Sequence, residues 1–319
     1  MAKIAYLILA HQNPRHLGRL IGRLSSPSVA FFIHVDKKSP VDAFTYIRGE
    51  NVHFMRRRKA VHWGDFSIVE ATVLLLRAAL AHEPRLERFV LLSGADYPLR
   101  STGYIDDFFD QHREAEFMSL VPMPSEEQHK PLSWLTRYKP RPGAPNVNVL
   151  IRKALVRCGA IPKERDFRAR LQDLVPYGGS TWWALSRRAC EYIMDFIEHK
   201  PEVVRFFRHT HCPDETLFHT VLGNSEFLHR ILPEVTYADW TAGGASPALI
   251  SERHLDRFSP ARRGRSGVGA RSGEALFARK FSDESTEIAE RLRKLIEDGE
   301  PVVAERYGGS RAQFMIGPG

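Results

Sequence analysis

Three carboxylates stand at positions where enzymes commonly place reactive groups. Asp36 and Asp96 each follow an apolar segment that is typical of a buried strand, and Glu215 follows Pro213 at the start of a predicted helix. A carboxylate at a strand end can bond a ribose hydroxyl or a uracil edge, or it can hold a metal ion. Turn capping by Asp36 and Asp96 and macrodipole matching by Glu215 are the structural alternatives.

A histidine-rich loop is the nearest approach to a metal site. Its donors are His209, His211, Cys212 and His219, but zinc would require a second, distant pair of ligands. We therefore favour imidazoles packed around a loop and predict no metal ligands. The three cysteines, Cys158, Cys190 and Cys212, are an odd number at wide spacing. They fit neither a disulfide framework nor a zinc site, which indicates a reducing compartment.

The elements that must position these residues alternate between strand and helix. Apolar runs predict strands at 4–10, 29–35, 52–55 and 89–92, and helical spacing predicts helices at 14–24 and 66–82. This alternation is typical of an α/β fold with a mostly parallel sheet, in which ligands bind at the carboxyl ends of the strands. Those ends are at His11, Asp36, 56–59 and 93–96.

The pattern is looser after residue 104. A surface excursion is expected over 120–145, and 243–272 should be a mobile Gly- and Arg-rich segment. The remaining predictions are an amphipathic segment at 150–158, a strand at 182–185, and helices at 187–199, from 213 to 222 and at 284–297.

The charge is concentrated in two stretches of the chain. The 319 residues carry a net charge of +8, but 137–170 holds ten basic and two acidic side chains, and 251–280 holds eight basic and three acidic ones. The rest of the chain is therefore acidic. A nucleic-acid-binding protein would need a basic face with interleaved aromatics, and the two stretches contain few, so nucleic acid is not an expected partner.

The location of the protein is predicted from its apolar segments. The unbroken apolar run of 4–10 is far shorter than the ~20 residues that span a bilayer, and it is typical of a buried strand. We expect a cytoplasmic protein. Any membrane contact should be peripheral, on the inner face of the plasma membrane and through the arginine-rich stretches.

Six ordered segments resemble one enzyme family, the core-2/I-branching glycosyltransferases, which include β-1,6-N-acetylglucosaminyltransferases and peptide O-xylosyltransferases. The segments are IHVDKK (33–38), VHWG followed by FSIVEA (61–71), LLSGADYPL (91–99), GGSTWW (178–183), CPDET (212–216) and LFARKF (276–281). The resemblance implies a GT-A type α/β fold that forms one catalytic domain over 1–319. Residues 1–110 would be its nucleotide-binding half, and 111–319 its acceptor-binding and catalytic half, with a basic loop at 243–273.

The resemblance also implies inverting transfer from a UDP-sugar without a divalent metal or other cofactor. Enzymes of the GT-A type usually hold a metal with Asp-x-Asp, whereas 93–96 offers only Asp96. Protein cations must then stabilise the leaving diphosphate. Lys280 matches the family's diphosphate lysine, and an arginine partner would be one of Arg253, Arg257, Arg271 and Arg279, of which Arg279 adjoins the lysine.

Site residues carry over from the family motifs by position. Glu215 matches the family's catalytic base by its place in Pro-Asp-Glu. An inverting transfer needs one such group to take the acceptor's proton. The donor site would contain His11 and Asp36 beside the uridine, and Trp63, Ser93 and Asp96 on the pocket floor. The acceptor site would contain Asp214, Trp240 and one indole of Trp182 and Trp183, because neighbouring strand residues face opposite ways.

The expected reaction moves N-acetylglucosamine, or as second choice xylose, to a hydroxyl of a glycan or lipid-linked glycan acceptor. Bacterial surface polysaccharide synthesis is the expected setting. The alternative is a non-catalytic protein of the same fold that binds a nucleotide-sugar or a glycan, because a fold does not guarantee chemistry.

Overall fold

The first third of the chain builds the parallel core of the protein. A computed structural model describes residues 3–142, 146–244, 246–258 and 274–299. The strands are β1 (Ile4–Ala10), β2 (Val29–Val35), β3 (Val52–Phe54), β4 (Arg88–Ser93) and β5 (Asp96–Pro98), and the helices are α1 (Pro14–Leu24), α2 (Ser67–His82) and α3 (Thr102–Gln111). The strands and helices expected in this part are confirmed.

The rest of the described chain consists of shorter elements. Its strands are β6 (Glu116–Phe117), β7 (Val121–Pro122), β8 (Tyr177–Gly178), β9 (Ala184–Ser186), β10 (Ile231–Leu232), β11 (Thr236–Ala238) and β12 (Phe277–Arg279). Its helices are α4 (Ser133–Thr136), α5 (Asn146–Arg157), α6 (Phe167–Leu171), α7 (Arg187–His199), α8 (Pro201–Phe207), α9 (Leu217–Gly223), α10 (Glu252–Phe258) and α11 (Thr286–Gly299).

The central sheet has seven strands in the order β10-β6-β9-β4-β1-β2-β3. Its pairs are parallel except those that β9 makes with β4 and β6. Both halves of the chain contribute strands to it. Alternate side chains of β1 enter two cores on opposite faces, one under α2, α7 and α9 and the other under α1 and α3. The expected class, an α/β fold with a mostly parallel sheet flanked by helices, is confirmed.

A three-stranded sheet, β11-β12-β5, joins the end of the described chain to the core. In its antiparallel pair, Arg279 of β12 lies opposite Asp96 of β5. Helices α10 and α11 cover this sheet and form a third apolar cluster with it. The sheet therefore brings a cation from the carboxyl-terminal part of the chain to a strand end of the first third.

Three expectations for the second half need correction. The predicted strand at 182–185 begins only at Ala184, and the helix predicted from 213 is a 3-10 turn (Pro213–Glu215) followed by α9. The segment 243–272 is not uniformly loose, because α10 lies within it and buries Leu255 and Phe258 in the third cluster. Residues 259–273 lie outside the described ranges. No helix in the described part of the chain is long and apolar enough to cross a membrane.

Candidate active site

A cleft of about 660 Å³ opens beside the central sheet and contains Glu215. Its lining residues come from distant parts of the chain between 63 and 244. The cleft is lined by the indoles of Trp63, Trp134, Trp182 and Trp240 and by the carboxylates of Glu127, Glu215 and Glu234. Several indole rings beside acidic groups are suited to a sugar, because an indole plane packs on the apolar face of the ring while carboxylates accept from its hydroxyls.

The backbone of Glu215 is fixed at both of its polar groups. Its amide donates to the Cys212 carbonyl at 3.0 Å, and its carbonyl accepts from the Gly179 amide at 3.0 Å. Cys212 adopts a left-handed conformation with φ 43°, which is uncommon for a residue with a side chain and is found often at functional sites. The turn that carries Glu215 is therefore held in one conformation.

Gly179 occupies a position that only glycine can fill. A β-carbon there would lie 1.9 Å from the Ser119 carbonyl oxygen and 2.6 Å from the His219 ring. The ring of His219 is buried, and burial lowers its pKa to about 3. Its Nε2 lies 2.9 Å from the Ser180 carbonyl oxygen, so the neutral ring donates there. His219 is thus a packed support under the cleft floor.

Lys130 contacts the side chain of Glu215, and no sequence motif indicates this contact. Its ammonium donates to Glu215 Oε2 and lies 4.8 Å from the centre of the Trp134 ring. The lysine is mostly buried, and its stem packs against Gly178. It comes from the excursion at 120–145, where no motif distinguishes one cation from another. Only the folded chain places it within the site.

Asp214 lies beneath the cleft rather than on its surface. Its side chain is buried, and one carboxylate oxygen accepts from the Thr181 hydroxyl at 2.7 Å. Burial, and next the neighbouring charge of Glu215, raise the pKa of Asp214 to about 7. Because Asp214 is enclosed by protein in this structure, a contact between its side chain and an acceptor would require its neighbours to move, and the contact stays a prediction.

Asp96 is buried at the start of β5, three residues after the end of β4, and both of its carboxylate oxygens have partners. One carboxylate oxygen accepts from the Ser93 amide at 2.9 Å and the other from the Ser93 hydroxyl at 2.6 Å. The Arg279 guanidinium lies 3.4 Å from it. Burial raises the pKa of Asp96, and the charge of Arg279 opposes that shift. Ser93 and Asp96 therefore support Arg279, which lies between them and the cleft.

His11, Asp36 and Lys280 form a neighbouring polar cluster at the ends of β1, β2 and β12. Desolvation lowers the pKa of His11, the charge of Asp36 opposes that shift, and the charge of Lys280 adds to it. Asp36 accepts from the Lys38 amide at 2.8 Å, as a turn-capping aspartate does. The Lys280 ammonium donates to the Ser246 hydroxyl at 2.7 Å. The strand ends thus gather one carboxylate, one imidazole and several cations.

The two adjacent tryptophans have different surroundings. Trp182 lines the cleft, and its ring lies 4.0 Å from the Arg279 guanidinium. Trp183 is 1% exposed and packs edge-on against Phe218 in the core. The expectation that one indole faces the pocket while the other is core holds, and Trp183 is thereby removed from the acceptor site. Trp240 is 55% exposed on the cleft wall.

The loop that carries Trp63 is held by the basic stretch. The Lys139 ammonium donates to the Gly64 carbonyl at 2.5 Å and lies 3.3 Å from His211 Nδ1. His211 in turn packs edge-on against Trp63. The Trp63 indole is 67% exposed and lines the cleft that contains Glu215, and its contact with a donor stays a prediction.

Other cations of 137–170 also have partners inside the protein. Arg141 pairs with Glu70 at 3.1 Å, and Arg165 donates to the carbonyls of His209 and Phe206. These pairs show why part of the positive charge at 137–170 is structural. Within the described residues, no group of three or more His, Cys, Asp or Glu side chains is arranged to hold a metal ion.

The three candidate arginines that are described differ in their partners. Arg253 pairs with Asp239 at 2.7 Å, at the side of the third cluster, and Arg257 interacts with the Tyr237 side chain. Arg279 lies beside Lys280, between Asp96 and Trp182. Arg271 lies outside the described ranges. Tyr237 and Trp182 both line the cleft, so Arg257 and Arg279 each contact its wall, and Arg279 is the one that adjoins Lys280 in the chain.

Comparison with known proteins gives a family match. The model of the Core-2/I-Branching enzyme family matches residues 4–257. Xylosyltransferase 1 of Canis lupus familiaris is 25% identical over 242 residues, which cover 70% of this chain and 22% of that protein. Xylosyltransferase oxt of Drosophila pseudoobscura pseudoobscura is 26% identical over 245 residues, which cover 74% of this chain and 25% of that protein. The chain thus spans about a quarter of the length of these relatives.

Solved structures match more distantly. The apo form of mouse xyloside xylosyltransferase 1 has a TM-score of 0.35 at 10% identity and covers 86% of this chain and 97% of its own. A 4-diphosphocytidyl-2C-methyl-D-erythritol synthase has a TM-score of 0.32 at 14% identity, and the match covers 64% of this chain and 85% of that one.

Proposed function

The chain belongs to the core-2/I-branching enzyme family, and from that premise we propose that it transfers one sugar from a UDP-sugar to a glycan hydroxyl, with inversion. One observation carries the proposal. The cleft that holds the Glu215 carboxylate is bordered by Trp182, and Trp182 packs against Arg279 of the cation pair Arg279–Lys280. A base and a binding place for a diphosphate are therefore neighbours.

The proposed step is a single displacement. The acceptor oxygen attacks the anomeric carbon and gives its proton to the Glu215 carboxylate, while the bond from that carbon to the β-phosphate oxygen breaks and its electron pair leaves with UDP. Glu127 and Glu234 also line the cleft. Glu215 is favoured because its place in Pro-Asp-Glu matches the family's catalytic base, and because its backbone and its side chain are both held, as a base must be before it can act.

We further propose that the reaction does not depend on a divalent metal. Both oxygens of Asp96 are engaged by Ser93, and Arg279 lies beside them, so this carboxylate is poorly placed to coordinate an ion. Arg279 and Lys280 can supply positive charge to the leaving diphosphate in its place. His11 and Asp36, at the adjoining strand ends, are proposed to lie beside the uridine.

The donor sugar is proposed to be xylose or N-acetylglucosamine. The curated relatives are named xylosyltransferases, which favours xylose, the second choice from the sequence. The proposed acceptor is a glycan or a lipid-linked glycan, in bacterial surface polysaccharide synthesis. The four cleft indoles support a carbohydrate occupant, since their planes suit sugar rings.

A second candidate is a non-catalytic protein that binds a nucleotide-sugar or a glycan. The ion pair between Lys130 and Glu215 favours it, because the carboxylate already has a role as the partner of a mostly buried lysine. In the catalytic proposal, Lys130 holds Oε2 in place and the acceptor hydroxyl gives its proton to Oε1.

A panel of UDP-sugars distinguishes the two candidates. Melting temperature and UDP release are measured for UDP-xylose, UDP-N-acetylglucosamine, UDP-glucose and UDP-galactose, with and without EDTA, in the presence of simple glycosides. We expect one donor to raise the melting temperature and to be turned over with EDTA present. A donor that stabilises the protein but releases no UDP would support the binding protein. Activity that is lost in EDTA and restored by manganese would contradict metal independence.

A further inference from the structure

The surface helix α5 presents an apolar face to solvent. Val147, Leu150, Ile151 and Leu155 are 57%, 62%, 52% and 38% exposed. Their spacing of three, four and eight residues from the first puts them on one side of the helix. A contiguous apolar face of this kind on a protein surface marks a binding site for another molecule.

The opposite face of α5 holds the helix on the protein. Val149 and Val156 are half-buried there. The Arg152 guanidinium lies 4.1 Å from the centre of the Tyr138 ring, and that ring stacks on His209 at 4.6 Å. Because the inner face of α5 is already packed against the protein, the outer apolar face cannot be buried in the protein core at the same time.

The charges of α5 suit an anionic surface. The helix carries Arg152, Lys153 and Arg157 and no acidic residue. At 3.6 residues per turn, Lys153 and Arg157 border the apolar face along one side, next to Leu150. An apolar face bordered by cations is typical of helices that lie in the interfacial plane of a membrane.

We propose that α5 docks this protein on a lipid surface that carries anionic headgroups. The inference goes beyond the proposed sugar transfer and does not depend on it. A second copy of the chain fits less well, because two such faces would bring like charges together. The undescribed segment 259–273 holds four arginines and no acid, and 300–319 has two acidic and two basic residues. Neither segment therefore has the excess of negative charge that would be needed to bind the basic side of α5.

The docked helix would lie in the plane of the membrane and near the cleft. Twelve residues extend about 18 Å, well short of the ~30 Å hydrocarbon core of a bilayer. Tyr138 and Lys139, just before α5, contact His209 and the Trp63 loop. Docking through α5 would therefore bring the Trp63 wall of the cleft towards the lipid surface.

The test is co-sedimentation of the full chain with vesicles of phosphatidylcholine alone and of equal parts phosphatidylcholine and phosphatidylglycerol. We expect binding to the anionic vesicles only, and weaker binding as salt is raised. The variant Lys153→Gln/Arg157→Gln should bind about 30-fold more weakly, from about 1 kcal/mol for each basic residue at an anionic surface. Binding that is absent, or equal for both vesicles, would overturn the proposal.

The apolar face is tested with Leu150→Asp/Ile151→Asp, against Leu228→Asp as a matched control at an exposed leucine elsewhere. We expect vesicle binding to be at least about 100-fold weaker for the first variant and unchanged for the control, since burial of each leucine or isoleucine contributes about 1.5–3 kcal/mol and a tenfold change corresponds to about 1.4 kcal/mol. Unchanged melting temperatures exclude misfolding as the cause. If Leu150→Asp/Ile151→Asp bound vesicles as tightly as the wild type, the proposal would be overturned. It would also be overturned if light scattering showed that the wild type is a dimer and that Leu150→Asp/Ile151→Asp is a monomer.

Discussion

The Arg279 guanidinium lies 4.0 Å from the centre of the Trp182 ring. Arg279 belongs to the small sheet and pairs with Asp96, whereas Trp182 lines the cleft that contains Glu215. A stacked cation and indole in a buried setting stabilise each other by about 2 kcal/mol or more. This contact joins the proposed diphosphate site to the proposed base.

Truncation of the two adjacent tryptophans should have different effects. Trp182→Ala removes the ring beside Arg279, so UDP affinity and rate should fall, and the free energy of unfolding should fall by less than it does in Trp183→Ala. Trp183→Ala removes a core indole, so the free energy of unfolding should fall by about 3–5 kcal/mol. Urea unfolding and UDP titration of both variants measure the difference. Similar stability losses would contradict the assignment of Trp183 to the core.

Glu215→Gln should lower kcat by about 10²–10⁴-fold, because the amide cannot accept the acceptor's proton. UDP affinity should change little, since the carboxylate is expected to contact the acceptor. Glu127→Gln and Glu234→Gln are matched controls from the same cleft and should keep most of the activity. If one of the controls lost activity and Glu215→Gln did not, the base would be that other glutamate.

Lys280→Ala should weaken UDP binding by about 10- to 150-fold, the range for hydrogen bonds to charged groups. Calorimetric titration with UDP measures the loss, and the exposed Lys200→Ala serves as a control for the removal of one positive charge. An unchanged dissociation constant would mean that Lys280 does no more than bond Ser246.

Lys130→Gln tests whether the ion pair orients Glu215. Loss of the ammonium should lower kcat by about 10–100-fold through misplacement of the carboxylate, with less effect on the KM of the donor. Lys130→Arg should restore part of the rate because it keeps the charge. A higher kcat in Lys130→Gln would show instead that Lys130 restrains the base.

Asp214 should make stability fall as pH rises. Burial raises its pKa from 3.8 to about 7, so between these values the folded state binds a proton that the unfolded state has released. The contribution of Asp214 to the free energy of unfolding is therefore fully present below pH 3.8 and is lost as the pH rises towards 7.

Asp214→Asn stays neutral and can keep the Thr181 bond. Its melting temperature relative to wild type should therefore increase from pH 4 to pH 8, by about 1–2 °C for each kcal/mol gained in a chain of 319 residues. The exposed Asp173→Asn should show no such trend. A difference that is constant with pH would contradict the raised pKa.

Local pattern was sufficient to predict the first half of the fold. Strand β1 and helix α1 have the predicted bounds, because an apolar run buried on both faces and a proline at a first helical turn are local signals. The same signals placed Asp36 and Asp96 at strand ends. They failed at 213–222, where the left-handed Cys212 and the turn after it separate Glu215 from α9.

Residue types, element order and family membership were thus determined by the sequence alone. Tertiary structure decided the contacts: Lys130 meets Glu215 across 85 positions of the chain, and Arg279 of β12 lies opposite Asp96 of β5. It also enclosed Trp183 and Asp214 while leaving Trp182 and Glu215 in the cleft. Periodicity reports which face of an element is apolar, but which distant side chains meet depends on strand order and on the course of the loops.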